Sequence, residues 1–229
     1  QEGSDTSCLI EWLQDRHSML SPVSVYEAIV AAAESAPTDP FLDFLNALEA
    51  WDETPRLDSW MEHALGVEDS EYARVVGAKF LISIVARAKL PGCKVDTKLI
   101  LVGGQGQFKS TLLRALVPAG LFDSTPKDTR EAFKDYLARL HQFVLHEDAE
   151  MDAYSQADIK SDKAMITNQV DSFRKPYAKT TGTFPRRFVL CGSTNEEGGF
   201  LWDPTGARSY WPVRVGRVNL DWIRDNLTQ

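Results

Sequence analysis

Apolar residues recur at helical spacing through the first 90 residues of the chain and in short runs after them. Phe41, Phe44 and Leu48, for example, fall on one face of a helix. The segments predicted to be helices share this periodicity and are Val23–Ser35, Phe41–Trp51, Leu57–Leu65 and Glu71–Lys89. Ser70 provides an N-cap for the last of them, and Pro91 ends it. The first 90 residues are therefore predicted to be all-helical.

After residue 91, short apolar runs alternate with helical segments. The predicted strands are Leu99–Val102, Gln142–His146 and Arg187–Cys191, and the predicted helices are Thr111–Leu116, Thr129–Leu140 and Asp158–Phe173. Strands separated by helices at this spacing predict an α/β fold, with a mostly parallel sheet and helices on both faces. We expect three parts: a helical region over 1–90, the α/β core over 91–217, and a C-terminal helix over 218–229 that the end of the sequence cuts off.

The stretch Leu99–Leu112, LILVGGQGQFKSTL, has the order strand, glycine-rich turn, helix. Glycines let backbone N–H groups approach phosphates, and a helix N-terminus adds partial positive charge. Lys109 would reach the β- and γ-phosphates of a nucleotide, and the hydroxyl of Ser110 would hold Mg²⁺. The candidate nucleotide-binding residues are Gly103, Gly104, Gln105, Gly106, Gln107, Phe108, Lys109, Ser110 and Thr111.

Phe108 departs from the phosphate-loop pattern, because it stands where the last glycine should be. A phenylalanine is not expected to adopt a conformation that only glycine takes readily, which puts nucleotide affinity in doubt. The alternative is a glycine-rich turn followed by an unrelated Lys-Ser-Thr. Residues further along the chain must therefore decide between the two.

The strand predicted at Gln142–His146 runs into a cluster of acids, in the sequence QFVLHEDAEMD. A nucleotide hydrolase needs one carboxylate to hold Mg²⁺ through its water shell and another to polarise the attacking water. Glu147, Asp148 and Glu150 all compete for these two roles. Acids after a strand can instead cap a helix, but their position downstream of the phosphate loop favours the catalytic interpretation.

Two further polar positions would complete such a site. Asn195 ends the stretch RFVLCGSTN and could orient the attacking water, although a Ser-Thr-Asn turn is also common. Arg208, in DPTGARSYWP, could serve as an arginine finger, an effect worth roughly 10³–10⁵ in rate. The alternative for Arg208 is an ion pair with Asp203 on a surface loop.

The net charge of −8 argues against a protein that coats nucleic acid with its whole surface. A local basic island nevertheless spans Arg174–Arg187 and contains no acid. Its members are the cations Arg174, Lys175, Lys179, Arg186 and Arg187, with the aromatic residues Phe173, Tyr177 and Phe184 among them. Cations mixed with stacking aromatic rings are typical of sites for single-stranded nucleic acid. A solvated basic hairpin that turns at residues 179–183 is the alternative.

Composition adds an expectation about the setting. The chain has neither a run of eighteen apolar residues nor a basic-apolar leader, so we expect no membrane span and no signal peptide. Cys8, Cys93 and Cys191 are widely separated and fit no metal-ligand spacing, which predicts a reduced, intracellular setting. Because the first residue is Gln and not Met, we also expect a fragment of a longer protein.

Five motifs occur in an order that is familiar from one group of proteins. They are WDETPRLDSW (Trp51–Trp60), PGCKVDTKLILVGGQGQFKST (Pro91–Thr111), VDSFRKPY (Val170–Tyr177), FPRRFVLCGSTNE (Phe184–Glu196) and FLWDPTGARSYWPV (Phe200–Val213). Their order resembles superfamily 3 helicases, a branch of the AAA+ P-loop ATPases. More closely, about residues 41–215 resemble the virulence-associated protein E family of phage and mobile-element replication proteins.

The resemblance implies a P-loop NTPase fold, ATP and Mg²⁺ as cofactors, and a hexameric ring that moves 3′ to 5′ along single-stranded DNA. It gives Lys109 and Ser110 the nucleotide and Mg²⁺ contacts, Glu147 the Walker B role with Asp148 or Glu150 beside it, and Asn195 the sensor role. It makes Arg208 a finger that reaches a neighbouring subunit. The residues that it places in a pore hairpin contacting DNA are Arg174, Lys175, Tyr177 and Lys179. It also implies the cytoplasm of a bacterial host, and a primase as a possible partner.

The leading hypothesis is therefore an ATP-dependent DNA helicase domain. One alternative is a nucleotide-dependent assembly or loading factor that binds DNA without unwinding it. A second is a degenerate P-loop scaffold that binds a protein partner without hydrolysis, for which Phe108 is the only support in the sequence.

Overall fold

The computed structural model describes residues 2–16, 21–35, 38–128, 130–151, 154–174, 180–195 and 209–226. It divides the chain into two compact units, Gln1–Asp43 and Phe44–Gln229. The first unit contains α1 (Glu2–Arg16) and α2 (Pro22–Ser35), and the division falls within α3 (Pro40–Asn46).

The remaining N-terminal helices, α4 (Trp60–Leu65) and α5 (Glu71–Lys89), belong to the larger unit. The structure thus divides the chain well before residue 90, where the sequence pattern changes. The reason is that α4 is joined to the C-terminal segment: the amide of Gly216 donates to the carbonyl of Leu65 at 2.9 Å, and that of Asn219 to Ala64 at 2.8 Å.

The helix α5 has the predicted bounds. Ser70 caps it, since its side chain accepts a hydrogen bond from the amide of Ala73. Two other helices are shorter than predicted: α4 begins at Trp60, and α3 ends at Asn46. The described part of the first 90 residues is helical apart from turns and connections, as predicted.

The rest of the larger unit is an α/β structure. Its strands are β1 (Lys98–Val102), β2 (Phe122–Asp123), β3 (Leu145–Asp148), β4 (Val170–Phe173), β5 (Gly182–Pro185), β6 (Val189–Thr194) and β7 (Tyr210–Arg214). Its helices are α6 (Lys109–Ala115), α7 (Phe133–Leu140), α8 (Gln156–Thr167) and α9 (Leu220–Asn226). Five of the strands form a fully parallel sheet in the order β2-β3-β6-β1-β7, which confirms the predicted parallel sheet.

The two faces of the sheet bury different sets of side chains, because successive residues of a strand point to opposite sides. Ile100 and Leu190 lie on one face, in a core cluster with residues of α7 and α8. Leu99 and Leu101 alternate with Ile100 and are fully buried on the other face. That second face is the one on which α6 contacts β3.

Several predicted boundaries were wrong. The predicted helix Asp158–Phe173 ends at Thr167, and its last four residues form β4, whose exposed-buried alternation is the period of a strand. The predicted strands Gln142–His146 and Arg187–Cys191 are β3 and β6, and each extends further into the polar residues that follow. The helix expected from Thr129 begins at Phe133, and the one expected from Thr111 begins at Lys109.

None of the helices in the described ranges is long and apolar enough to cross a membrane.

Candidate functional site

The glycine-rich loop connects β1 to α6 and contains two residues in the left-handed backbone region. Gly106 has φ 80°, which glycine adopts without strain. Phe108 has φ 57° and ψ 24°, so it does adopt the conformation of the glycine that it replaces, contrary to our expectation. An ordinary residue held in this region costs about 1–2 kcal/mol. The phenylalanine ring is 61% exposed, so the substitution places a strained residue with an exposed ring at the rim of the loop.

Lys109 begins α6 and is 8% exposed. Its ammonium donates to the backbone carbonyls of Gly103 at 2.6 Å and Gly104 at 2.9 Å, and to Oδ1 of Asn195 at 3.3 Å. Asn195 lies directly after β6, the strand beside β1. The structure therefore brings together two of the predicted site residues from distant parts of the sequence.

Glu147 is 1% exposed and lies on the same sheet face as α6. Its Oε1 accepts hydrogen bonds from the hydroxyls of Ser110 and Ser193, each at 2.7 Å. Its Oε2 is buried and has no hydrogen-bond partner among the described residues. A buried carboxylate oxygen without a partner is energetically costly, and it is free to accept from a metal-bound water.

These groups fit Mg²⁺ bound together with a nucleotide. Magnesium keeps several waters and takes one or two carboxylates plus substrate phosphates. Ser110 and Glu147 supply a hydroxyl and a carboxylate 2.7 Å apart, beside a loop that can receive phosphates. In the described ranges no cluster of three or more His, Cys, Asp and Glu side chains could hold a metal by itself. The donor set therefore suits a metal that arrives with its substrate.

Sequence reasoning missed Ser193 as a site residue, although it noted the Ser-Thr-Asn turn. A signal was present in the strand pairing: Glu147 is level with Cys191 on the adjacent strand. Ser193 lies two residues further along, on the same face and nearer the carboxyl edge. Only knowledge that β3 and β6 are neighbours makes this placement visible.

The three candidate acids have different surroundings. Asp148 lies on the opposite sheet face from Glu147, and there it forms an ion pair with the fully buried Lys98. Burial alone would raise the pKa of Asp148, but the charge of Lys98 and a hydrogen bond from His146 hold that pKa well below its usual range. Glu150 is exposed and lines the same pocket as Lys109 and Ser110. Glu150 thus lines the pocket, and Glu147 lies buried behind the lining residues Ser110 and Ser193. Asp148 belongs to a buried ion network instead.

We call this network the Lys98 cluster; its members are Lys98, Asp148, Asp162 and Tyr210. The Lys98 ammonium contacts Asp162 at 2.9 and 3.0 Å in addition to Asp148. The Tyr210 hydroxyl donates to Asp162 at 2.9 Å. Burial alone would lower the pKa of Lys98, but the charges of both aspartates raise it above its usual value. Lys98 is therefore a buried cation held between two carboxylates.

A pocket of about 400 Å³ opens where these loops meet at the carboxyl edge of the sheet. Its lining residues are Gln105, Gly106, Gln107, Phe108, Lys109, Ser110, Thr111, Ala149, Glu150, Ser193, Thr194 and Asn195. Ligands of open α/β sheets bind in this position, outside the carboxyl ends of the strands. A larger concavity of about 670 Å³, between α6, β2 and α9, contains none of the predicted site residues. Arg208 lies outside the described residues.

The basic island is only partly available to a ligand. Its flanks, β4 and β5, pair antiparallel as a hairpin. Arg186 is 1% exposed and binds Asp171 through two hydrogen bonds of 2.7 Å, so it holds the base of the hairpin. Arg187 is half-buried and donates to the carbonyl of Ala88. These two of the five cations in the island are structural, and neither is among the predicted DNA contacts.

The aromatic residues at the hairpin base are also structural. The rings of Phe173 and Phe184 stack on each other with centroids 4.3 Å apart, and both pack against His141. They are therefore unavailable as platforms for nucleic-acid bases. Arg174 is exposed. The other three predicted DNA contacts, Lys175, Tyr177 and Lys179, lie outside the described residues.

A parallel sheet with a glycine-rich loop between its first strand and the following helix defines a P-loop-like α/β fold. The chain belongs to the virulence-associated protein E-like domain family, whose model matches residues 45–229. Two solved structures of the NrS-1 C-terminal region, one titled as its A form apo structure over 305–718, have the same fold. They superpose with TM-scores of 0.54 and 0.55 at 13% and 14% sequence identity.

These alignments cover 83% and 84% of this chain, but only 46% and 47% of the NrS-1 chains. The chain thus spans about half the length of the solved structures that it matches. No curated protein matches the sequence.

Proposed function

We propose that the chain is an ATP- and Mg²⁺-dependent motor domain of a replication protein of a phage or mobile element, which hydrolyses ATP in order to move along single-stranded DNA. The observation that carries the proposal is that Lys109 and Asn195 line one pocket, and that the buried Glu147 is hydrogen-bonded to Ser110 and Ser193, which line it as well. Three separate segments supply these side chains, and Ser110 and Ser193 orient the carboxylate between them. Membership of the family supports the replication role.

Within the pocket each side chain has one task in this proposal. Lys109 exchanges its loop carbonyls for phosphate oxygens and neutralises charge that develops during transfer. Glu147 and Ser110 would hold Mg²⁺, which would supply further charge neutralisation when bound with the nucleotide. Glu150, exposed at the same edge, polarises the attacking water, and Asn195 orients it.

The site needs a second cation. Lys109 is the only cationic side chain among the described residues that line the pocket. Phosphoryl transfer in P-loop enzymes gains roughly 10³–10⁵ in rate from an arginine supplied in cis or by a partner. We assign this role to Arg208, acting on the pocket of a neighbouring subunit in a homo-oligomeric ring. The segment of the chain between β4 and β5, which includes Arg174, Lys175 and Lys179, contacts the DNA strand in this proposal.

The hydrolysis step is tested by a matched pair of lysine variants. Lys109→Ala should lower the ATPase rate by about 10²-fold or more, because it removes a donor from charge that develops in the transition state. Lys94→Ala is the control, since the side chain of this lysine is 72% exposed and pairs with the exposed Asp96. Equal loss in both variants, or a Lys109→Ala rate equal to that of the unmodified chain, contradicts the proposed site.

Motor activity is tested by unwinding of a duplex with a single-stranded tail. ATP-dependent strand separation that is lost in Lys109→Ala supports the motor. Nucleotide-dependent DNA binding without strand separation identifies a loading factor instead. ATP binding without hydrolysis, in the presence of DNA and at concentrations that permit assembly, identifies a scaffold.

A further inference from the structure

The Lys98 cluster lies outside the nucleotide pocket, yet it connects elements that lie close in sequence to residues with proposed functions. Lys98 is 0% exposed and begins β1, the strand that leads into the glycine-rich loop. Its ammonium contacts Asp148 at the end of β3 and Asp162 in the middle of α8. Asp162 in turn accepts from the hydroxyl of Tyr210 at the start of β7. One buried charge thus joins four elements.

Each partner lies close in sequence to a residue with a proposed function. Asp148 directly follows Glu147 and precedes Glu150 by two residues. Asp162 is on α8, which is separated from the hairpin strand β4 by only two residues. Tyr210 comes two residues after Arg208. The end of β3, the middle of α8 and the start of β7 are therefore linked to the same ammonium, directly or through Asp162.

Stability alone gives a poor reason for this arrangement. The desolvation penalty is several kcal/mol per buried ion, and replacement of buried ion pairs by apolar side chains is often neutral or stabilising. On the same face of the sheet Ile100 and Leu190 are buried beside the cluster, and the buried His146 contacts Asp148 at 3.3 Å. An apolar contact tolerates sliding, whereas movement of either carboxylate away from the ammonium would leave a buried charge uncompensated.

We propose that Lys98 is a positioning residue that couples the nucleotide pocket to the DNA hairpin, through Asp148 on one side and Asp162 with Tyr210 on the other. This inference rests on the proposed function. Binding of nucleotide and of the metal at Glu147 shifts the end of β3, which carries Asp148. The Lys98 ammonium transmits this shift through Asp162 to α8, and α8 transmits it to the hairpin strand β4 that follows. Coupling of this kind is reciprocal: nucleotide changes the affinity for DNA by the same factor as DNA changes the affinity for nucleotide.

The mildest test removes one hydroxyl. Tyr210→Phe deletes the hydrogen bond to Asp162 and leaves all the charges in place, so the chain should remain folded. Tyr136→Phe is the matched control, because this tyrosine is buried in the same core cluster and its hydroxyl lies 3.5 Å from His146. Asp162→Asn keeps the shape of the side chain but removes its charge, and serves as a stronger second variant.

The measurement is the Kd for a fluorescent single-stranded oligonucleotide, with and without a non-hydrolysable ATP analogue. Typical allosteric coupling changes affinity by about 5- to 150-fold. We expect the unmodified chain and Tyr136→Phe to show such a factor, and Tyr210→Phe and Asp162→Asn to bring it close to one. The Kd for the analogue alone should stay unchanged in Tyr210→Phe, a result that general loosening of the fold would not give.

The outcomes separate this inference from the proposed function. Failure of the unmodified chain to bind the ATP analogue contradicts the proposed function itself. Binding of both ligands without coupling in the unmodified chain overturns the inference alone. Coupling that is equal in the unmodified chain and in Tyr210→Phe and Asp162→Asn also overturns it, as does equal loss in Tyr136→Phe.

Discussion

The arrangement around Glu147 gives the most direct quantitative prediction, through Ser193→Ala. The Glu147 carboxylate is 1% exposed, and two hydroxyls donate to its Oε1 at the same distance of 2.7 Å. The variant removes one of these donors without touching the phosphate loop. A hydrogen bond to a charged group contributes about 1.5–3 kcal/mol. Since about 1.4 kcal/mol corresponds to a tenfold change, we expect a loss of about 10- to 100-fold in Mg²⁺ affinity or activity.

The assay is a titration of ATPase activity with Mg²⁺ at saturating nucleotide. Ser193→Ala should shift the half-maximal Mg²⁺ concentration upward, and metal-free nucleotide binding should stay unchanged. Ser83→Ala is the control, because its hydroxyl donates to the carbonyl of Phe80 within α5, on a helix that does not line the pocket. A Mg²⁺ dependence of Ser193→Ala identical to that of the unmodified chain would refute the role given to this hydrogen bond.

Three further predictions concern stability and DNA binding. Arg186→Met should destabilise the chain by about 3–5 kcal/mol in urea unfolding, because it leaves the buried Asp171 without its cation; Arg130→Met, at an 89% exposed arginine, should change little. Burial raises the pKa of Asp123, but hydrogen bonds with His146 and Thr125 outweigh burial and lower it from 3.8 to about 2. A carboxyl group with a lowered pKa in the folded state stabilises the fold at a pH above its unfolded-state pKa, and this stability is lost as the pH falls through its folded-state pKa. Between pH 5 and pH 2 the free energy of unfolding should therefore fall by about 2 kcal/mol from this group, a loss that Asp123→Asn should not show. Lys175→Ala combined with Lys179→Ala should weaken single-stranded DNA binding and reduce its salt slope, expected at roughly −2 for three contacts, towards −0.7; an unchanged slope would remove the hairpin from the DNA site.

The sequence was sufficient to predict an element where its local pattern and the tertiary structure favour the same element. The helix α5 has a side-chain cap at Ser70 and a proline after its end, so its bounds could be predicted to the residue. The parallel sheet followed from strands alternating with helices. The helical interpretation of Val170–Phe173 failed because a short alternating run next to a helix can continue either pattern. Antiparallel pairing with β5 makes it a strand.

The features of the site that could not be predicted depend on contacts between residues that are far apart in the sequence. Glu147 and Asp148 are adjacent acids, and the sequence alone does not tell their roles apart. Which of the two side chains lies on the face of the sheet that contacts α6 follows only from the pairing of β3 with β6. Arg186 was counted in the basic island because its charge is visible in the sequence, whereas its ion pair with Asp171 on β4 is not. Phe108 was expected to disturb the loop, but the structure holds its backbone in the left-handed region.

The position of β6 between β1 and β3 has a consequence for how the protein folds during its synthesis. The strands that bear the phosphate loop and the acids are not hydrogen-bonded to each other, and both pair with a strand formed by residues 189–194. A nascent chain that already contains Lys109 and Glu147 therefore has no pocket until β6 has been synthesised and inserted. Contacts between such distant segments form slowly, because loop closure must precede them. During synthesis, protection of the nucleotide site from protease should therefore appear late and all at once, only after residue 194 has left the ribosome.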